Sequence, residues 1–352
     1  MGNRTNKYIV KVTFDKRRPE CNVGTVNSHY PFGQAYEDEF SFHDNHFILT
    51  ASRSKRYPDG SILSKSANTI NTQLVKGLLF YYAIAADFPR IKNITITLRR
   101  PHGADFTYTD CDKAQITQPL VDPGQKNFVF REDDISIIFD ETDKGRAMRI
   151  ALSYWITGIA TKERYYRFDR LWRSFNRLFL YHGNTSREFD GMTVMRQFII
   201  NHPDLFPRTL SITDAYTSQD LRSFNWRQLI LNDYDTPKKT QAFHDFILRY
   251  HDVQIMDLFD EMLPYRDVYL TAFGLKNIVT AHIAANRNPF PIEKIPLLSL
   301  KYAYFVRNKM FHGEIPDSTF KVHTDENDIL IDRINAILSS LIFELLSHSD
   351  LL

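Results

Sequence analysis

The apolar residues of this chain recur with one period before residue 145 and with another after it, and that switch limits the folds open to it. Along 8–14, Tyr8, Val10, Val12 and Phe14 alternate with polar neighbours, and ITITL at 94–98 does the same, which is the spacing of half-buried strands. Further short strands are expected at 105–109, 127–131 and 135–139, while 15–45 reads as turn formers with scattered aromatics. Between turn signals at 58–68 and Pro89, residues 71–88 predict one mostly buried helix. Strands around one helix give an α+β domain over 1–145.

After a turn expected at Asp143-Lys144-Gly145, the helical period takes over, and 146–352 reads as a mainly α-helical domain. Arg164 to His182 carries Phe168, Leu171, Trp172, Phe175, Leu178 and Phe179 on one stripe, with arginines opposite. Pro203 and Pro207 break 190–235 into shorter helices, with Ser211, Thr213 and Ser218 as candidate caps. Helices are expected over 238–262, 265–286, 297–314 and 324–348, the last carrying Ile334, Leu338 and Leu345. Together these suit a helical bundle with extra helices inserted between its first and later members.

Composition sets the outer limits of function. With 43% hydrophobic and 24% charged residues the chain is globular, and a formal charge of +2 leaves any nucleic-acid contact to local patches. Candidate patches are Lys55 with Arg56, Arg99 with Arg100, and Arg164, Arg167, Arg170, Arg173 and Arg177. Tyr216, Phe224 and Trp226 are candidates for stacking on bases, against the ordinary reading as core. Cys21 and Cys111 are the only cysteines and lack metal spacing, and His43 and His46 have no third ligand nearby, so no metal or other cofactor is expected. The start of the chain, Met1 to Lys7, lacks the apolar run of a leader, and no stretch approaches a membrane span, so a cytoplasmic location and no membrane partner are expected. Residues 1–145 show no phosphate loop, dinucleotide fingerprint or nucleophile elbow, which leaves a sensing or regulatory role, with a protein or ligand partner, as their default.

The stretch that carries chemistry is LLSLKYAYFVRNKMFHGE at 297–314, in which Leu298, Tyr302 and Phe305 mark a buried helix face and Arg307, Asn308 and His312 a polar end. Cleavage of RNA by its own 2'-hydroxyl needs a proton acceptor and donor and a stabiliser of developing charge. Histidine titrates near neutrality, arginine binds phosphate with a permanent planar fork, and an asparagine amide orients either. On an intact helix, Asn308 and His312 share a side, whereas Arg307 and His312 stand about 140° apart. An identical spacing, Arg177 to His182, offers an alternative pair.

Arg307-Asn308-Lys309-Met310-Phe311-His312 resembles the signature of HEPN domains, an arginine and a histidine four to six residues apart with a polar residue after the arginine. RFDRLWRSFNRLF at 167–179 resembles the first helix of certain members. The resemblance covers the motif helix and, more loosely, 150–352. It implies an antiparallel helical bundle, a homodimer, and a metal-independent endoribonuclease of prokaryotic defence or growth arrest. His312 would be its general acid or base, Arg307 its charge stabiliser and Asn308 the orienting group, with Asn176 and Lys309 in support. In members silenced by tyrosine modification, a tyrosine follows two residues after the histidine; here that position is Glu314, so that control is not expected. The competing expectation is a HEPN-type bundle that no longer cuts and serves dimerisation or partner binding. A metal-dependent nuclease is disfavoured, because clustered carboxylates at ligand spacing are missing.

Overall fold

The computed structural model describes residues 5–15, 24–31, 37–54, 56–57, 62–63, 69–100, 105–109, 118–120, 126–314 and 322–352. Lys55, Cys21 and Cys111 lie outside them. The chain forms two compact units, Met1–Glu163 with Leu345–Leu352, and Arg164–Glu344.

In the first unit, six strands make one antiparallel sheet in the order β2-β3-β4-β1-β5-β6: β1 Asn6–Phe14, β2 Thr25–His29, β3 Glu37–His43, β4 His46–Arg53, β5 Ile91–Arg99 and β6 Phe106–Thr109. The register puts like with like on the inner face. Val10 lies opposite Leu49 on one side and Ile96 on the other, and Phe40 opposite Leu49. α1 (Thr69–Ile84) covers that face, and it comes so close that a Cβ on Gly77 would lie 2.7 Å from the Phe47 ring. Phe14 stacks on Tyr81 with ring centres 4.0 Å apart, and Phe80 packs on Phe42 at 4.6 Å.

Strands β2 and β3 occupy residues expected to be loop. Their inner pattern is masked by charge: at positions 38, 40 and 42 the sheet buries Asp, Phe and Phe, and at 47, 49, 51 and 53 it buries Phe, Leu, Ala and Arg. Arg53 offers both terminal nitrogens to the two oxygens of Asp38, each at 2.7 Å, and its Nε donates to Thr69 at 2.9 Å. Gln73 donates to Asp38 at 2.9 Å, and Lys76 donates to Ser28 at 2.8 Å and pairs with Glu141 at 2.5 Å. Burial pushes the Lys76 ammonium down from its usual range, while Glu141 opposes that shift. Removing one partner of such a pair would leave a desolvated charge, at about 3–5 kcal/mol.

Further expectations fail here. Residues 127–131 join no strand, and 132–139 are helical, as α2 (Glu132–Ile135) followed by a 3-10 turn, Ser136–Phe139. Three acidic residues in the first turn, Glu132, Asp133 and Asp134, favour a helix start there. The Asp143-Lys144-Gly145 turn is instead the first turn of α3 (Asp143–Ala160), with Thr142 accepting from the Gly145 N–H at 3.1 Å as its N-cap. α3 belongs with the sheet unit, so the units divide at residue 164 and not 145.

The second unit is mostly helical over its described residues, with one isolated parallel bridge between Asp252 and Asn288: α4 Arg164–His182, α5 Glu188–Asn201, α6 Pro207–Asp214, α7 Ser218–Arg222, α8 Trp226–Asp233, α9 Thr240–Ile247, α10 Val253–Met262, α11 Asp267–Ala272, α12 Lys276–Ala285, α13 Lys294–Pro296, α14 Ala303–Phe311 and α15 Glu326–Ser347. The last turn of α15 falls in the sheet unit. The stripe foreseen on α4 is the buried one, with Phe168, Leu171, Trp172, Phe175, Leu178 and Phe179 at 0–2% exposure. The helix expected over 238–262 breaks before Asp252, whose carboxylate caps α10 by accepting from the Gln254 N–H at 3.0 Å. The one expected over 265–286 breaks at Gly274, where φ is +70°. Thr217, not Ser218, caps α7, in a reciprocal box with Asp220.

Candidate functional site

Most of the segment leading into Arg307 is buried, with Lys301 and Tyr304 half-buried. Leu297–Tyr302 forms a π-helical turn, a widened geometry frequent near functional sites, and Ser299 returns its hydroxyl to the Ile295 carbonyl at 2.7 Å. Leu298, Tyr302 and Phe305 are 0–3% exposed, as their spacing predicts. Then α14 runs to a defined stop. Gly313 at φ +67° lets its N–H reach the Met310 carbonyl at 3.1 Å while the Glu314 N–H reaches Lys309 at 3.0 Å, the paired bonds of a glycine C-terminal cap. That cap leaves His312 just past the last helical residue as the C-cap, exposed, and its imidazole makes no hydrogen bond among the described residues.

Arg307 and Asn308 point into a polar junction. Arg307 Nη1 donates to Asn308 Oδ1 at 3.0 Å, and Nη2 meets Glu188 Oε1 at 3.5 Å. Asn176 Nδ2 donates to the same Glu188 oxygen at 2.7 Å. Thus α4 and α14 each send a side chain to one carboxylate on α5. The Arg307 guanidinium lies 4.4 Å above the Phe311 ring, and its Nε is buried without a partner. Both Arg307 and Glu188 are about a quarter exposed, so the junction is reachable from solvent.

Lys309 turns away from this junction: it pairs with Glu314 and lies 5.8 Å over Phe305. The alternative pair sits in a different setting. His182 packs on Phe198 at 4.6 Å, and burial, with His202 beside it, holds its imidazole below the usual range. Of the arginine patch on α4, Arg164 pairs with Asp328 at 3.0 Å, Arg173 with Asp169 at 2.9 Å, and Arg170 lies 4.4 Å over Tyr166. Phe224 and Trp226 are buried around Tyr302, which makes them core and not stacking platforms. His43 and His46 stack at 4.4 Å across the β3–β4 turn, and no group of three metal-ligating side chains occurs among the described residues. None of the described helices is long and apolar enough to cross a membrane.

Glu188 is the member of the junction that sequence reasoning does not find. It lies 12 residues after Asn176 and 119 before Arg307, and its only local signal is an acidic residue opening a helix. No family model matches this chain, and neither a curated protein nor a solved structure matches it.

Proposed function

We propose that the protein is a HEPN-type, metal-independent endoribonuclease that cleaves RNA by attack of the 2'-hydroxyl, working as a homodimer in antiphage defence or growth arrest. The observation that carries the reading is the junction on α14, where Arg307 and Asn176 meet the Glu188 carboxylate and Arg307 holds Asn308, with the solvent-exposed His312 five residues beyond Arg307 in the chain. His312 takes or gives the proton, Arg307 stabilises the charge developing on phosphorus, and Asn308 orients the phosphate. The Arg307–Glu188 contact is long, and a phosphate in bidentate contact with the guanidinium is the stronger partner.

The test is cleavage of total RNA in chelator. Wild type is expected to cut, and His312→Ala to lose about 10²–10⁴-fold of the rate. Equal cutting by both, with loss in His182→Ala, would move the site to the alternative pair Arg177 and His182.

One observation favours a second reading, a bundle that binds a partner without cutting: Arg307 is already engaged by Glu188, Asn308 and the Phe311 face, as a structural arginine would be. On that reading His312→Ala leaves biological activity intact, while substitutions in the sheet unit abolish it.

A further inference from the structure

A cavity of about 680 Å³ flanks α14 on the side away from Glu188. Such a volume lies within the range of small-ligand sites. Its floor is apolar, formed by Phe305, Val306, Leu330 and Ile331 at 3–5% exposure, and Leu231 at its edge keeps 45% of its surface open. Its polar lining is rich in amides: Asn225 at the N-cap of α8, Gln228 and Asn232 within α8, and Asn327 from α15. Asn225 donates to Asn327 at 2.8 Å, which ties two walls together, whereas the Gln228 amide makes no hydrogen bond among the described residues.

The charges that line the cavity are Lys309, Glu314 and Asp325, and Lys309 is already paired with Glu314. Lys309, the one cation among the described lining residues, is thus engaged, which leaves a phosphate little to bind there. Neutral amides suit the edge of a flat heterocycle, and an apolar floor suits its face.

We infer that this cavity is a purine subsite, which seats a base of single-stranded RNA on the apolar floor beside Leu231, with its edge read by Gln228 and the asparagines. The identity of the ligand rests on the ribonuclease reading above. Geometry links the two sites. Taking about 100° per residue, His312 lies about 60° round the helix from Lys309 at the cavity rim and about 140° from Arg307. A nucleotide with its base in the cavity directs its phosphate to the end of α14 where His312 stands. The subsite therefore fixes which phosphodiester meets the imidazole, and gives the enzyme a base preference.

The experiment is calorimetric titration of the full chain with AMP and with ribose 5-phosphate, on wild type and Gln228→Ala. AMP is expected to saturate at least about tenfold more tightly than ribose 5-phosphate and to weaken by about tenfold in Gln228→Ala. A short single-stranded oligoadenylate is expected to displace it. Absence of saturable AMP binding, equal affinity for ribose 5-phosphate, or indifference to Gln228→Ala would overturn the subsite, and failure of the oligonucleotide to displace AMP would overturn its assignment to RNA. The readout needs no cleavage, so AMP binding without RNA cutting would reject the nuclease reading alone.

Discussion

Each unit contains an arginine–carboxylate pair joined by a side-chain amide, and the two pairs differ in almost every physical respect. In the sheet unit, Arg53 and Asp38 are 4% and 0% exposed, meet in a bidentate fork at 2.7 Å, and share a dense set of bonds with Thr69 and Gln73. In the helical unit, Arg307 and Glu188 are 25% and 28% exposed, meet through one contact at 3.5 Å, and leave Arg307 Nε unbonded. A saturated, dry pair has no capacity to exchange partners, and its role is to fix strand register. A long, wet pair can give up its carboxylate for an anion at small cost. On the proposed function, the first pair is architecture and the second belongs to the site.

Substitutions sharpen the contrast. Asp38→Ala leaves Arg53 buried and unpaired, and is expected to lower unfolding stability by about 3–5 kcal/mol in a denaturant titration; a loss near zero would show that water enters the network. Gly77→Ala forces a methyl into the Phe47 ring and is expected to cost about 1–3 kcal/mol by the same method. At the other pair, Glu188→Gln is expected to change stability by no more than about 1 kcal/mol while strengthening binding of short RNA, measured by fluorescence anisotropy. If it destabilises as much as Asp38→Ala, the junction is architecture too.

The smallest effect is a pH dependence. Burial, Lys11 and His43 lower His46 to about 4, so the folded protein keeps this imidazole neutral where the unfolded chain protonates it. The associated stability is complete above about 6.5 and is lost as pH falls towards 4. His46→Gln is expected to flatten that part of the acid limb in thermal melts; an unchanged limb would show that other groups set it.

How much of this was legible in the sequence follows from where apolar and charged residues coincide. α4 was legible to its ends, because a continuous aromatic stripe has one reading. β1 and β5 were legible because their inward residues are apolar, or nearly so, along the alternating stretch. The β3–β4 hairpin was not: Asp38 and Arg53 hold inward positions, and each looks like a surface residue until the other is known. Residues 135–139 alternate as a strand would, yet a run this short carries no length to separate strand from helix, and the acidic start decides. At the junction, Arg307, Asn308 and Asn176 were legible as residue types with spacing. Glu188 was not, since only the packing of α5 brings it to them. The breaks at Asp252 and Gly274 were missed for a similar reason, as local cap and φ requirements override a long apolar period.

The central claim is that the exit of α14 cuts RNA. It is tested most directly by the rate at which a defined single-stranded RNA is cleaved in chelator by wild type and by His312→Ala, with the new ends identified. The account predicts 2',3'-cyclic phosphate and 5'-hydroxyl ends from wild type and a rate about 10²–10⁴-fold lower for the variant. Cleavage at the same rate by both proteins, or by neither, would contradict it.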